Sequence, residues 1–286
     1  MDSPLARSVS PTVLGRQSSP ANSSVAAPFS YRRIILPGEH GSWAFVLEPL
    51  VLGLLVAFSP AAVAISIAVF CGFLTRKPFR LGFGKRQQTT ATRKRARFVF
   101  LCLGGIAAGA ISIALKLSAP SALVPLALAV PPLLFFARKD DEGDARSLAA
   151  EMVATGLCSL PLVSITLAAN WPLSIALGVA CVNLARAWPT VLFVRSRLRA
   201  AKQKQRPGLL CYVSQIAAPV ALAALALSNG SPWMPVLLCS LLSLRAGYML
   251  SARSPRLTAK QVGIIEVFVG LLCIIVCAWA YRGFVA

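Results

Sequence analysis

At 286 residues, 57% hydrophobic and only 13% charged, with a mean hydropathy of +0.71, the chain falls outside the ordinary soluble class, whose charged fraction is about 25%. Its net charge of +20 would suit nucleic acid if the basic residues shared a soluble face. They lie instead in the gaps between long apolar runs, where lysine and arginine orient membrane helices, so the expected partner is a lipid bilayer and not nucleic acid.

Residues 1–33 hold eight serines, four prolines, four arginines and one acid, with no continuous apolar core, and read as a disordered cytoplasmic tail. The same composition suits a transit peptide, an alternative it leaves open. Residues 34–286 then form the membrane domain. Apolar runs fit for spanning helices fall near 42–58, 60–75, 98–115, 120–137, 150–169, 172–194, 209–228, 232–250 and 262–281, nine in all. The expected fold is all-α, a polytopic membrane helix bundle of nine transmembrane helices.

Charge tests that count. With the N-terminus inside, 25 of the 29 basic residues collect on the inner side: in the tail, in a long loop at 76–97, and at 138–146, 195–206 and 253–260. The outer turns at 59–60, 170–172 and 228–232 carry no charge, as the positive-inside rule requires of an N-in, C-out chain.

All eight cysteines sit inside apolar runs, no two form a CxxC pair, and the chain has one His, so neither a disulfide framework nor a zinc site is indicated. The acidic run DDEGD (140–144) is the one place for a hard divalent cation, and its ordinary reading is a solvated, charge-balancing loop. No metal ligand and no cofactor are assigned.

Glu48, Arg186, Arg245 and Glu266 stand inside spans, and Glu151 near the end of one. A charge at depth costs about 2.5–3.5 kcal/mol even on the lenient insertion scale, so each must face protein or water and find a partner. Asn183, Arg186, Thr190 and Arg197 fall close to one stripe of a helix that Pro189 can kink. Ser147, Glu151, Thr155 and Cys158 form a second polar stripe; Gly263, Glu266, Gly270 and Cys273 form a small-residue stripe around a carboxylate. One reading has the carboxylates merely neutralise the arginines. The other has them line a cytoplasm-facing cavity whose mouth, with Arg76, Arg80, Arg195, Arg197 and Arg199, is cationic and suits an anionic ligand. His40, beside Glu39, reads either as half of a proton-transfer pair or as an interfacial hydrogen-bonding residue.

The blocks PGEHGSWAFVLEPLVLG (37–53), RSLAAE (146–151), RAWPTVLFVRSRLR (186–199) and VGIIEVFVGL (262–271) resemble the recurring blocks of the YwiC-like family of bacterial membrane proteins, over nearly all of residues 34–281. That resemblance implies a multi-pass protein of the bacterial inner (cytoplasmic) membrane and no particular activity. More distantly, helix count and orientation are similar to the UbiA prenyltransferase superfamily, which implies a UbiA-like arrangement with its cavity under the loops after the second and sixth helices. In that superfamily Asp-rich motifs hold magnesium and, through it, a prenyl diphosphate. Here the corresponding places read RKPFR (76–80) and RSRLR (195–199), without carboxylates.

The function expected is therefore binding of an anionic lipid head group or phosphorylated small molecule. Its candidate ligands are His40, Glu48, Arg76 and Arg80, with Asn183, Arg186, Thr190, Arg195, Arg197 and Arg245. In a prenyltransferase-like enzyme without the metal motifs, Glu151 or Glu266 would be the catalytic base. An organic-anion transporter and a non-catalytic membrane assembly protein are the alternatives.

Overall fold

The computed structural model describes residues 31–36, 40–84, 88–143, 147–203, 208–251 and 257–285, and among them every regular element is helical. From Arg32 onward the chain is one compact unit. The tail expected at residues 1–33 lies almost wholly outside the described residues, but Arg32–Ile35, at its end, forms a short helix, α1, that seats Ile34 against Ala96 and Val99.

Helix α2 (His40–Val56) carries the first apolar run. It is followed by a packed hairpin of α3 (Pro60–Phe83) and α4 (Thr90–Leu117). Ser59 opens α3 by accepting the Ala62 amide at 3.0 Å, with Pro60 at the first helical position, and Thr89 opens α4 through the Thr92 amide. The run at 120–137 is a 3₁₀ turn (Pro120–Leu123) leading into α5 (Val124–Leu128) and α6 (Val130–Asp141). The run at 150–169 is likewise divided, into α7 (Leu148–Leu157) and α8 (Leu160–Ala168). Prolines cause both breaks: Pro131, Pro132 and Pro161 supply no amide to the carbonyl four residues back and crowd it. Then come α9 (Leu173–Gln203), α10 (Leu209–Leu227), α11 (Met234–Leu250) and α12 (Ala259–Val285).

All nine expected runs thus coincide with helix. Seven stretches among the described residues are long and apolar enough to cross a membrane, while α2 and α11 are shorter apolar helices. The protein is a multi-pass membrane protein. Leu50, Ile65, Leu162, Val179 and Leu222, from α2, α3, α8, α9 and α10, share one buried core. Large apolar side chains such as Phe98 and Leu101 on α4 and Leu237, Leu241 and Leu244 on α11 face outward, as a lipid-facing surface requires. Trp233, at the start of α11, and Tyr248, near its end, are exposed too.

The basic loop expected at 76–97 is mostly helix. Arg76, Lys77 and Arg80 ride on α3, Arg93 to Arg97 ride on α4, and α9 likewise runs on through Arg195, Arg197 and Arg199. Hydropathy drops where a helix leaves apolar surroundings, but arginine, lysine and glutamine are good helix formers, so the backbone does not end there.

Candidate functional site

Each arginine inside the bundle meets a carboxylate from another helix. Arg186 on α9 forms a fork-to-fork pair with Glu48 on α2: Nη1 donates to Oε2, and Nη2 to Oε1 at 3.2 Å, with side chains only 12% and 13% exposed. Arg245 on α11 donates through Nη2 to Glu266 on α12, and Arg195 on α9 through Nη1 to Glu151 on α7 at 2.6 Å. One oxygen of each expected base, Glu151 and Glu266, is therefore engaged by a guanidinium.

A fourth cluster was not legible as such in the sequence. Asp140, at the end of α6, is only 7% exposed. Its Oδ2 accepts Arg76 Nε at 2.9 Å, and its Oδ1 accepts Arg76 Nη2 at 3.2 Å and Arg80 Nη1 at 3.1 Å. Phe136, one turn earlier, lies under the Arg76 guanidinium, 4.7 Å from it. The first acid of the DDEGD run is thus drawn inward, and RKPFR receives a carboxylate from α6. Glu142 keeps the solvated character expected of the run: it is exposed and pairs with Arg138 and Lys139, which hold its carboxyl below the usual range. The Asp141 side chain and Asp144 lie outside the described residues. Among the described residues, no group of three His, Cys, Asp or Glu is placed to hold a metal ion.

Two clefts adjoin Arg186. One, narrow and partly open, is bounded by Glu48, Asn183, Arg186, Gly270, Cys273 and Cys277. The other, also narrow, is bounded by Arg186, Thr190, Gln215, Ser243, Arg245 and Glu266. Around them the charges of Glu48, Arg186, Arg245 and Glu266 sum to zero. Yet Nε and Nη1 of Arg245 and Nε of Arg186 are buried with no acceptor. Asn183 donates to Ser159 Oγ at 2.8 Å, which ties α9 to the break between α7 and α8.

Prolines also explain how α11 joins this site. Pro189 leaves the Ala185 carbonyl without its helical donor, and Pro219 does the same to Gln215. The Cys239 thiol donates to Ala185 O at 3.8 Å, and Ser243 Oγ donates to Gln215 O at 2.7 Å. Cys239 and Ser243 stand four residues apart on one face of α11, so a single helix satisfies both exposed carbonyls. Gln215 completes the tie by donating to Pro189 O at 3.0 Å.

Of the residues singled out from sequence, Glu48, Asn183, Arg186, Thr190, Arg245 and Glu266 come together at the clefts. Arg76, Arg80, Glu151, Arg195 and Arg197 are not among the residues bounding either one. His40 begins α2, but its side chain lies outside the described set. Sequence reading took Asp140 for one acid of a solvated run and missed Gln215, Cys239 and Ser243; the signal for these three was a proline four residues after each carbonyl that needed a donor.

Residues 36–166 match the family model described as YwiC-like protein. The blocks at 37–53 and 146–151 lie within that stretch, and those at 186–199 and 262–271 lie beyond it. No curated protein and no solved structure gives a significant match.

Proposed function

We propose that this YwiC-like membrane protein holds the acceptor oxygens of a small anionic group, a carboxylate or a phosphate of a lipid or metabolite, between Arg186 and Arg245. The observation that carries this is the set of orphaned guanidinium N–H groups beside the second cleft. A buried donor without an acceptor costs about 1–3 kcal/mol, more when charged, and an oxygen-rich anion relieves several at once. Thr190 and Ser243 border the same cleft, but their hydroxyl protons are donated to the Arg186 and Gln215 carbonyls, which leaves the guanidinium groups as the donors to the anion. Because the four surrounding charges already cancel, every charge a ligand brings is uncompensated there, so a monoanion is favoured over a dianion, which would carry two such charges away from water.

Binding without turnover fits this arrangement better than catalysis. One oxygen of Glu266 is engaged by Arg245, and Glu151 is held by Arg195 and does not border the clefts. The test is a titration of the purified protein with a monoanionic phospholipid, with inorganic phosphate and with formate, each with and without EDTA. At least one monoanion binds, EDTA leaves its affinity unchanged because guanidinium groups hold it, and Arg245→Gln weakens it roughly tenfold or more, the equivalent of one charge-assisted hydrogen bond. Binding that EDTA abolishes, or that Arg245→Gln leaves untouched, overturns the assignment.

The same proposal includes nine spans in an N-in, C-out arrangement of UbiA-like topology, residues 1–33 as a cytoplasmic tail, and the bacterial inner membrane. It puts Arg76, Arg80, Arg195 and Arg197 at the cytoplasmic side. Gln88 and Asn229 are both exposed, in the turns after α3 and after α10. Cysteines placed there react with an impermeant thiol reagent from opposite sides of a sealed vesicle, Gln88→Cys from the cytoplasmic side; labelling of both from one side removes the topology.

A further inference from the structure

We infer that the two clefts are one interrupted passage and that the Glu48–Arg186 pair, seated on Gly270, is the barrier closing it, so that the protein passes a small monoanion along the bundle as well as holding it. This rests on the proposed anion binding between Arg186 and Arg245. The clefts share Arg186, Cys239 and Leu242 as common walls and lie end to end. Along α12 they reach from Glu266 to Cys277, about 16 Å at 1.5 Å per residue, and along α11 from Pro235 to Ala246, about the same. The charged pair sits where they meet.

Gly270 explains how the two side chains reach α12. A Cβ at this position would fall on Glu48 Oε1 and would come within 2.9 Å of Arg186 Nη2, so the pair rests directly on the backbone of α12. The barrier therefore stretches from α2 through α9 to α12 with no side chain between. On its far side the cleft is bounded by Leu52, Val182, Leu222 and Ile274, with no further fixed charge. An anion that has passed the pair meets nothing there that would trap it.

The barrier can also open. An anion held by Arg245 next to Arg186 offers Arg186 a second acceptor, and where Arg186 turns to it, Glu48 loses the partner that holds it over Gly270. Pro189 supplies no amide to the Ala185 carbonyl, one residue before Arg186, which accepts the weak thiol donor of Cys239 instead, so α9 is less restrained at this level.

Native thiols make the inference testable in the full chain. Cys277 and Cys273 border only the cleft beyond the pair, and Cys239 lies at the junction. Protein in sealed vesicles is exposed to a small anionic methanethiosulfonate from the side bearing Asp140, and modified cysteines are identified by peptide mass. In the unaltered protein Cys277 reacts slowly, and formate speeds it. The double variant Glu48→Gln/Arg186→Gln removes both charges together and leaves neither alone; in it Cys277 reacts roughly tenfold faster, a shift of about 1.4 kcal/mol in barrier population. Gly270→Ala, which displaces the pair sterically, gives the same increase and serves where the double variant does not fold. Cys277 equally protected with formate, in the double variant and in Gly270→Ala overturns the barrier, even if formate binds. Faster modification in the variants without any formate binding supports the barrier and overturns the anion site.

Discussion

Arg186→Leu lowers the unfolding free energy by about 3–5 kcal/mol, because it leaves the Glu48 carboxylate buried and without its guanidinium partner. Adding Glu48→Gln to that variant restores most of the loss, since a neutral amide no longer needs a countercharge. Three carboxylates stood as candidate partners in the sequence; the geometry selects one. Glu151→Gln and Glu266→Gln added to Arg186→Leu therefore make matters worse, because each breaks a separate pair, with Arg195 and Arg245 respectively. A double-mutant cycle measured by denaturant unfolding in detergent gives the answer. Rescue by Glu266→Gln equal to that by Glu48→Gln would mean that the pairing is wrong.

Asp140→Ala is expected to cost about 2–3 kcal/mol, as it removes the acceptor of three charged hydrogen bonds that tie α6 to α3. Most of the effect comes through Arg76, since Arg80 is 40% exposed and water competes for it. Glu142→Ala, two residues away, leaves stability essentially where it was, because Glu142 is solvated. The contrast is read from unfolding curves of the two variants under one condition. Equal losses for both would return Asp140 to the status of a solvated loop acid.

That contrast shows where the sequence stops being informative. Apolar runs locate helices because lipid and core both demand them, and all nine runs were legible for that reason. Helix ends were not, since arginine and lysine beyond Phe73 and Val194 continue a helix as readily as they begin a loop. The intramembrane charges announced that they needed partners. Which partner each took depends on how α2, α9, α11 and α12 rotate against one another, and one-dimensional spacing says nothing of that. Asp140 was hidden by its neighbours: next to Asp141, Glu142 and Asp144 it looks like one more solvated acid, and only the approach of α3 separates it. Cys239 and Ser243 carry no signal of their own in the sequence; the prolines on α9 and α10 give them carbonyls to serve.

The exposed aromatics at the two ends of α11 have a consequence for the membrane itself. Trp233 and Tyr248 are side chains of the kind that settle at the lipid head-group level, and fifteen residues of helix place them only about 22 Å apart along the axis. A typical bilayer has a hydrocarbon thickness of about 30 Å. In the proposed nine-span arrangement the long helices α9 and α12 can tilt to fit, but α11 has no length to spare, so lipid would compress toward it or the aromatic anchors would leave their level. Short acyl chains relieve this mismatch and long ones aggravate it. With α11 as one of the nine proposed spans, the lipid annulus around it would be selected by chain length, and the bilayer would be pinched at the same helix whose Cys239 and Ser243 brace α9 and α10.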